Sequence, residues 1–141
     1  MNVQDSCNIS APVDRVWDVY SDVERWPEWT ASVTDLTVVS GPVLAIGSRV
    51  RIKQPGLPGL VWEVTAVEPG RSWTWTSRSV GVRTRARHQL ERIDSATTHV
   101  EQIIEHTGVL VGRLMRRRTR RYLAMEAAGL KARSEARVTT A

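Results

Sequence analysis

Phenylalanine is absent from this 141-residue chain, and cysteine occurs once, at Cys7. A single cysteine rules out an intramolecular disulfide and any zinc site built on several thiolates. No apolar run approaches the roughly 20 residues that a bilayer-spanning helix requires. The opening Met1-Asn2-Val3-Gln4-Asp5 also lacks the basic and apolar regions of a signal peptide. A cytoplasmic protein without a transmembrane segment is therefore expected. Internal repeats, low-complexity tracts and linkers are missing too. Neither a Gly-x-Ser-x-Gly nucleophile elbow nor a glycine-rich phosphate loop occurs, so no cofactor and no Ser-His-Asp hydrolase are expected.

What is present suits one domain over residues 1–141, with a single core. The 41% hydrophobic and 25% charged residues are ordinary for a soluble globular protein. Six tryptophans and two tyrosines stand in for phenylalanine. These are large flat rings with a polar edge, useful in a core and in lining a pocket. The net charge of +5 has meaning only where it is clustered. Much of it sits in Arg116, Arg117, Arg118, Arg120 and Arg121, on the last predicted helix.

Residues 3–10 read as a first strand. Ser10-Ala11-Pro12 followed by Asp14 is a helix start, since proline fits the first helical position and an acid suits the first turn. Val13, Val16, Trp17 and Tyr20 then recur as one apolar helical face. Ser21-Asp22 caps a second short helix carrying Val23, Trp26 and Trp29, with Pro27 limiting its length. From Val33 onward the period becomes two. Segments 34–40, 48–54, 61–67, 72–79, 82–92 and 97–107 are separated by Gly41-Pro42, Pro55-Gly56, Pro69-Gly70, Gly81 and Asp94-Ser95. That turn chemistry at close spacing predicts an antiparallel meander, and with the first strand a seven-stranded sheet. Residues 108–137 read as one long helix, with Gly108 ending the sheet and Gly112 in the first helical turn. The order predicts an α+β fold in which a curved sheet and a terminal helix face each other across a space for a ligand.

Alternation identifies the side chains that look at the helix. Val50 and Ile52 oppose Arg49, Arg51 and Lys53, while Val82, Thr84, Ala86, His88 and Leu90 oppose Arg83, Arg85, Arg87 and Gln89. By the same rule Trp62, Val64, Trp73, Trp75, Ser77, Val100, Gln102, Ile104 and His106 point inward. Glu101 and Glu105 then sit on the outer face opposite arginines. On the last helix the stripe is Val111, Leu114, Met115, Arg118, Tyr122, Met125 and Gly129, flanked by Leu110, Leu123 and Leu130. Arg118 interrupts an otherwise apolar line. Glu126 and Glu135 are read as solvent-side counter-charges to the arginines.

The segment Ile9-Ser10-Ala11-Pro12-Val13-Asp14-Arg15-Val16-Trp17, continuing to Asp22-Val23-Glu24-Arg25-Trp26-Pro27-Glu28-Trp29, resembles the opening of the START-like, or helix-grip, superfamily. Gly47 with Arg49-Val50-Arg51, Trp62-Glu63-Val64, Trp73-Thr74-Trp75, Gly81, His88 and Gly108 extend the likeness over nearly the whole chain. Within the superfamily the chain is most similar to bacterial polyketide cyclase/dehydrase-like proteins. The resemblance implies a seven-stranded sheet gripping the C-terminal helix, with a mainly apolar cavity between them. It also implies the family's range of activities, from cyclization of aromatic polyketide chains to lipid carriage.

His88 is the candidate catalytic residue, because an imidazole facing a cavity can take or give a proton in an aldol condensation or dehydration. The alternative for His88 and for His106 is a core or rim histidine satisfied by a hydroxyl or backbone group. Arg118, Tyr122 and Gln102 are candidates to orient a ligand carbonyl or carboxylate, and Trp29, Trp62, Trp75, Ser77, Thr84, Ile104, His106 and Met115 complete the ligand-binding set. With no acid on the inner strand faces, no metal site is expected. The predicted partner is a small hydrophobic or aromatic molecule, bound by a monomer or homodimer and either converted or only carried. Gly56-Leu57-Pro58-Gly59 is a candidate lid. A different function remains for Arg116, Arg117, Arg120 and Arg121, which can hold RNA or another acidic surface; no DNA partner is expected.

Overall fold

Each period-two segment finds a partner strand in the computed structural model, which describes residues 1–136. The strands are β1 (Asn2–Ile9), β2 (Asp35–Ser40), β3 (Arg49–Lys53), β4 (Leu60–Glu68), β5 (Ser72–Ser79), β6 (Val82–Asp94) and β7 (Thr97–Thr107). They form one antiparallel sheet in the order β1-β7-β6-β5-β4-β3-β2. Helix α1 (Val13–Ser21) and a 3-10 helix (Val23–Glu28) fill the connection from β1 to β2, and helix α2 (Arg113–Glu135) follows β7. This is the helix-grip arrangement. No helix among the described residues is long and apolar enough to cross a membrane.

Strand register sets the inner face in transverse rows. One runs Trp73, His88, Gln102 across β5, β6 and β7; the next runs Val64, Trp75, Ala86, Ile104 and Val3; the third runs Trp62, Ser77, Thr84, His106. All of these are buried except Thr84, which is half-buried. Trp73 and Trp75 each withdraw about 150–250 Å² from water, on the order of 4–6 kcal/mol apiece before the entropy of ordering is subtracted. On the outer face Arg49 pairs with Glu63 at 3.2 Å and Arg85 with Glu105 at 3.1 Å. Glu101 does not face an arginine: the register places it opposite Gln89.

Several boundaries differ from the sequence reading. Pro12 is the N-cap of α1 rather than its first residue, and the second helix is a 3-10 turn that ends with Trp29 as its cap. Helix α2 starts at Arg113, because residues 108–112 bend and turn away from β7 before Gly112 serves as N-cap; the expected end at Arg137 lies outside the described residues. The larger correction is rotational. The buried line of α2 is Thr119, Leu123, Glu126, Leu130 and Ser134, while Met115, Arg118, Tyr122, Met125 and Gly129 form a half-buried flank and Leu114 is exposed.

Close packing accounts for that setting. A Cβ built on Gly129 would lie 1.9 Å from the carbonyl oxygen of Trp29, so the helix rests directly on the backbone at the end of the 3-10 turn. The C-terminal half of α2 is also tied down by polar contacts. Glu135 accepts from Ser10 N at 2.9 Å, Lys131 donates to the Asn8 carbonyl at 3.1 Å, and Arg133 pairs with Glu28 at 2.9 Å. Alanine exceeds glycine in helix propensity by about 1 kcal/mol, yet the clash is with backbone and cannot be relieved by a rotamer. Gly129→Ala is expected to lose about 1–3 kcal/mol net in urea unfolding. An unchanged midpoint would mean that α2 does not rest on Trp29.

Candidate functional site

Between the inner face of the sheet and α2 lies a cavity of about 160 Å³. Its walls are largely apolar, with Trp26, Trp62, Trp75, Ile104 and Leu123 among them, and its buried polar members are His88, His106, Glu126 and Thr119. Leu57 and Pro58 from the β3–β4 loop line it opposite Met115, Arg118 and Tyr122 of α2. Exposed Pro58 and Ser79 mark the mouth. The Tyr122 hydroxyl donates to the Pro55 carbonyl, which ties the predicted lid segment to the helix.

Of the residues selected from the sequence, His88, Trp62, Trp75, Thr84, Ile104, His106, Met115, Arg118 and Tyr122 line this cavity. Trp29, Ser77 and Gln102 do not. Trp29 lies under Gly129, beside Arg15 and Arg133, on the other side of the helix contact. Ser77 stands between Trp62 and Thr84 in the register and is buried, its hydroxyl unpartnered among the described residues. Gln102 lies behind Glu126 and Tyr20, both of which its amide contacts.

The decisive polar residue is one the sequence reading placed in solvent. Glu126 is only 7% exposed, and its Oε1 accepts hydrogen bonds from the Tyr20 hydroxyl at 3.0 Å and from Gln102 Nε2 at 3.0 Å. Gln102 Nε2 also donates to the Tyr20 hydroxyl at 2.9 Å. Both hydrogen bonds end on Oε1, and none reaches Glu126 Oε2 among the described residues. A signal existed in the chain: Glu126 lies three residues after Leu123 and four before Leu130, on the face those leucines define. Tyr20 lies on the predicted apolar face of α1, a position that by itself signals only core.

Burial shifts the protonation of this group. The Glu126 carboxyl is pushed up from 4.5 to about 7 by loss of hydration, which outweighs the hydrogen bond from Tyr20. His88 is pulled down from 6.5 to about 3 by the same loss, and its ring stacks on Trp73 at 4.2 Å. Its Nε2 lies 3.9 Å from Glu126 Oε1. That is too long for a hydrogen bond, and with a neutral imidazole it is no ion pair. The Nδ1 of His88, Trp73 Nε1 and Gln102 Oε1 have no hydrogen-bond partner among the described residues. An unsatisfied buried polar atom costs about 1–3 kcal/mol, so this corner of the core gives up stability. His106, by contrast, is satisfied on both ring nitrogens, by Thr84 at 2.9 Å and by Thr119 of α2 at 2.8 Å. Burial, the Met1 ammonium and Arg118 hold its pKa below the usual value.

These shifts give opposite pH dependences. A carboxyl raised from 4.5 to about 7 in the fold contributes stability at low pH that is lost as pH rises through that window, by about 3 kcal/mol. A histidine lowered from 6.5 to about 3 contributes stability at high pH that is lost as pH falls below 6.5. The two slopes oppose each other in the wild type where the windows overlap. Glu126→Gln should remove the first and leave the second, so that thermal stability falls more steeply below pH 6.5 than in the wild type. Parallel stability-pH curves for the two proteins would show that Glu126 titrates normally.

A seven-stranded sheet wrapped on a terminal helix has counterparts among known proteins. A START superfamily protein from Mycobacterium smegmatis superposes with a TM-score of 0.79 at 14% identity, covering 95% of this chain and 97% of that one. An aromatase/cyclase from Streptomyces sp. R1128 superposes with a TM-score of 0.71 at 15% identity, over 95% of this chain and 91% of its own. At such identities the likeness carries the fold alone. In sequence, a proposed polyketide cyclase of Streptomyces cyaneus is 24% identical over 103 residues, 73% of this chain, which spans 60% of that relative's length. The sequence model of the family described as "Polyketide cyclase / dehydrase and lipid transport" matches residues 1–135. On that match, and with the fold agreeing, the chain belongs to the polyketide cyclase/dehydrase and lipid transport family.

Proposed function

We propose that the protein encloses a ring-forming or aromatic carbonyl compound and moves a proton on the carbon beside the carbonyl, in a cyclization or dehydration. One observation carries this reading: a carboxyl group with a pKa of about 7 lines an apolar cavity with one oxygen unpartnered. A general base titrating near the working pH combines the ionized form with enough basicity to take a proton from carbon. Glu126 Oε2 accepts the α-proton, and the resulting enolate oxygen is met by the Arg118 guanidinium at the mouth. In a dehydration the same carboxyl returns its proton to the departing β-hydroxyl, which leaves as water, so protons balance over the cycle.

His88, the candidate from the sequence, takes a different role in this scheme. With a pKa of about 3 it is uncharged at neutral pH and does not start as an acid. It borders Glu126 as a neutral ring and adds no charge that would restore the ordinary carboxylate pKa. The cavity of about 160 Å³ is smaller than the ~300–1,000 Å³ of pockets that enclose drug-sized ligands, and close to the ~150 Å³ that admits benzene. One or two rings are therefore enclosed, with any longer chain leading out past Arg118 and Pro58. A relative proposed to be a polyketide cyclase supports this substrate class.

Carriage of a lipid, quinone or aromatic metabolite without turnover is the second reading. It is favoured by the internal hydrogen bonds to Glu126 Oε1, which suit a structural acid as well. Tryptophan fluorescence and melting temperature, followed while aromatic polyketides, fatty acids and quinones are titrated, identify the ligand. With that ligand, Glu126→Gln should lower turnover by about 10²–10⁴-fold while binding changes little, and wild-type kcat should follow an apparent pKa near 7. Binding without product in the wild type, or full turnover by the variant, would assign the cavity to carriage or to another base.

A further inference from the structure

We propose that the end of the fold carrying the cavity mouth docks on anionic lipid bilayers. Four aliphatic side chains project there: Val80 is 90% exposed, Val109 89%, Leu114 82% and Leu110 61%. Val80 is at the tip of the β5–β6 turn, Val109 and Leu110 lie on the connection after β7, and Leu114 is in the first turn of α2. The two loops are joined. Leu110 N donates to the Gly81 carbonyl at 3.2 Å, and the Leu110 side chain covers Gly81 so closely that a Cβ there would come within 2.7 Å of it. Single exposed aliphatics are unremarkable, but a joined group at a tip marks an interaction surface.

The charge around the tip is of one sign. Arg113, Arg116, Arg117, Arg120 and Arg121 are exposed on α2, and Arg78 and Arg83 are exposed beside the Val80 turn. None of them forms an ion pair among the described residues. Two of these placements are unfavourable in water. Arg78 and Arg83 are direct cross-strand partners, where like charges repel. The first turn of α2 has no acid, so Arg113 and its neighbours add positive charge to the positive end of the helix dipole. A layer of phosphates relieves both repulsions, and guanidinium groups match phosphate with paired hydrogen bonds.

The chemistry of the tip selects among anionic partners. Nucleic acid gains little from aliphatic prongs, and the tip offers no exposed aromatic ring for base stacking. A protein partner is held by aromatic anchors and a fitted concavity, whereas this surface projects and is purely aliphatic at its centre. Aliphatic prongs inside a ring of arginines match the layering of acyl chains beneath anionic headgroups. The location agrees: Ser79 and Val82 flank the Val80 turn, Met115 and Arg118 follow Leu114, and all four line the cavity. An apolar ligand can thus pass between bilayer and cavity without crossing water. Docking does not require turnover at Glu126, so the failure of either idea leaves the other standing.

Cosedimentation with vesicles tests the inference. Wild-type protein should bind vesicles of equal parts phosphatidylglycerol and phosphatidylcholine far better than pure phosphatidylcholine, and high salt should release it. Val109→Asp with Leu114→Asp should weaken binding at least about tenfold, and Arg116→Gln with Arg117→Gln by about fivefold per arginine, with unchanged circular dichroism. Equal binding to both vesicle types, which needs no variant to observe, would overturn the proposal. So would wild-type affinity in the aspartate variant, or preference for an acidic protein or polyuridylate over phosphatidylglycerol at equal salt.

Discussion

At Glu126 Oε1 three parts of the chain meet: α1 through Tyr20, β7 through Gln102 and α2 through the carboxyl itself. Apolar packing alone lets a helix roll with little penalty, because one leucine replaces another in the same groove. Hydrogen bonds to a buried acid do not allow this, since a rotation that withdraws Glu126 strands a phenol, an amide and a carboxyl away from water. The junction therefore fixes the rotation of α2. Once Glu126 points inward, Thr119 must meet His106, Arg118 and Tyr122 must border the mouth, and Arg116, Arg117, Arg120 and Arg121 must face outward. The acid's own elevated pKa follows from the same placement.

The strands were legible because burial on one face leaves a period of two that the sequence preserves in nearly every segment. His88, Trp75, Ile104 and His106 were assigned to the inner face by that rule alone, and the register keeps them there. The helix was less legible. Its mouth end has no apolar face to read, since six arginines crowd the residues from 113 to 121, and the eye follows Met115 and Tyr122 instead of Thr119 and Leu123. Glu126 was misplaced for a related reason: a glutamate among arginines reads as a counter-charge unless Leu123 and Leu130 are taken as the frame. Trp29 and Gln102 failed as wall residues because which inner side chain is covered by another depends on packing depth, and alternation carries no information on depth.

The site and the outer surface make a graded environment along one direction. Deepest are uncharged or nearly uncharged groups, His88 and a carboxyl poised near neutrality, in surroundings that cost stability. Next comes the apolar wall of tryptophans, and then the polar rim of Arg118, Tyr122 and the Pro55 carbonyl. Outermost are aliphatic tips among unpaired arginines. The arginine-rich helix and the cavity, which the sequence offered as rival sites of function, are thus the outer and inner parts of one path.

The contact between Gly129 and the backbone of Trp29 also makes α2 a lever. Polar ties hold the segment beyond this fulcrum, and the opposite arm, roughly 22 Å long to Leu114 at 1.5 Å per residue, is held by the hydrogen bonds of Glu126, Tyr122 and Thr119. A tilt of about 5° about Gly129 swings the mouth end by about 2 Å but moves Glu126, one turn away, by less than about 0.5 Å. Widening the aperture by more than a methylene therefore means loosening the Thr119–His106 and Tyr122–Pro55 hydrogen bonds, while the acid stays within hydrogen-bonding reach of Tyr20 and Gln102. The resting cavity volume therefore sets what the protein encloses, and the two hydrogen bonds near the mouth set what a tilt about this glycine has to release before anything larger enters.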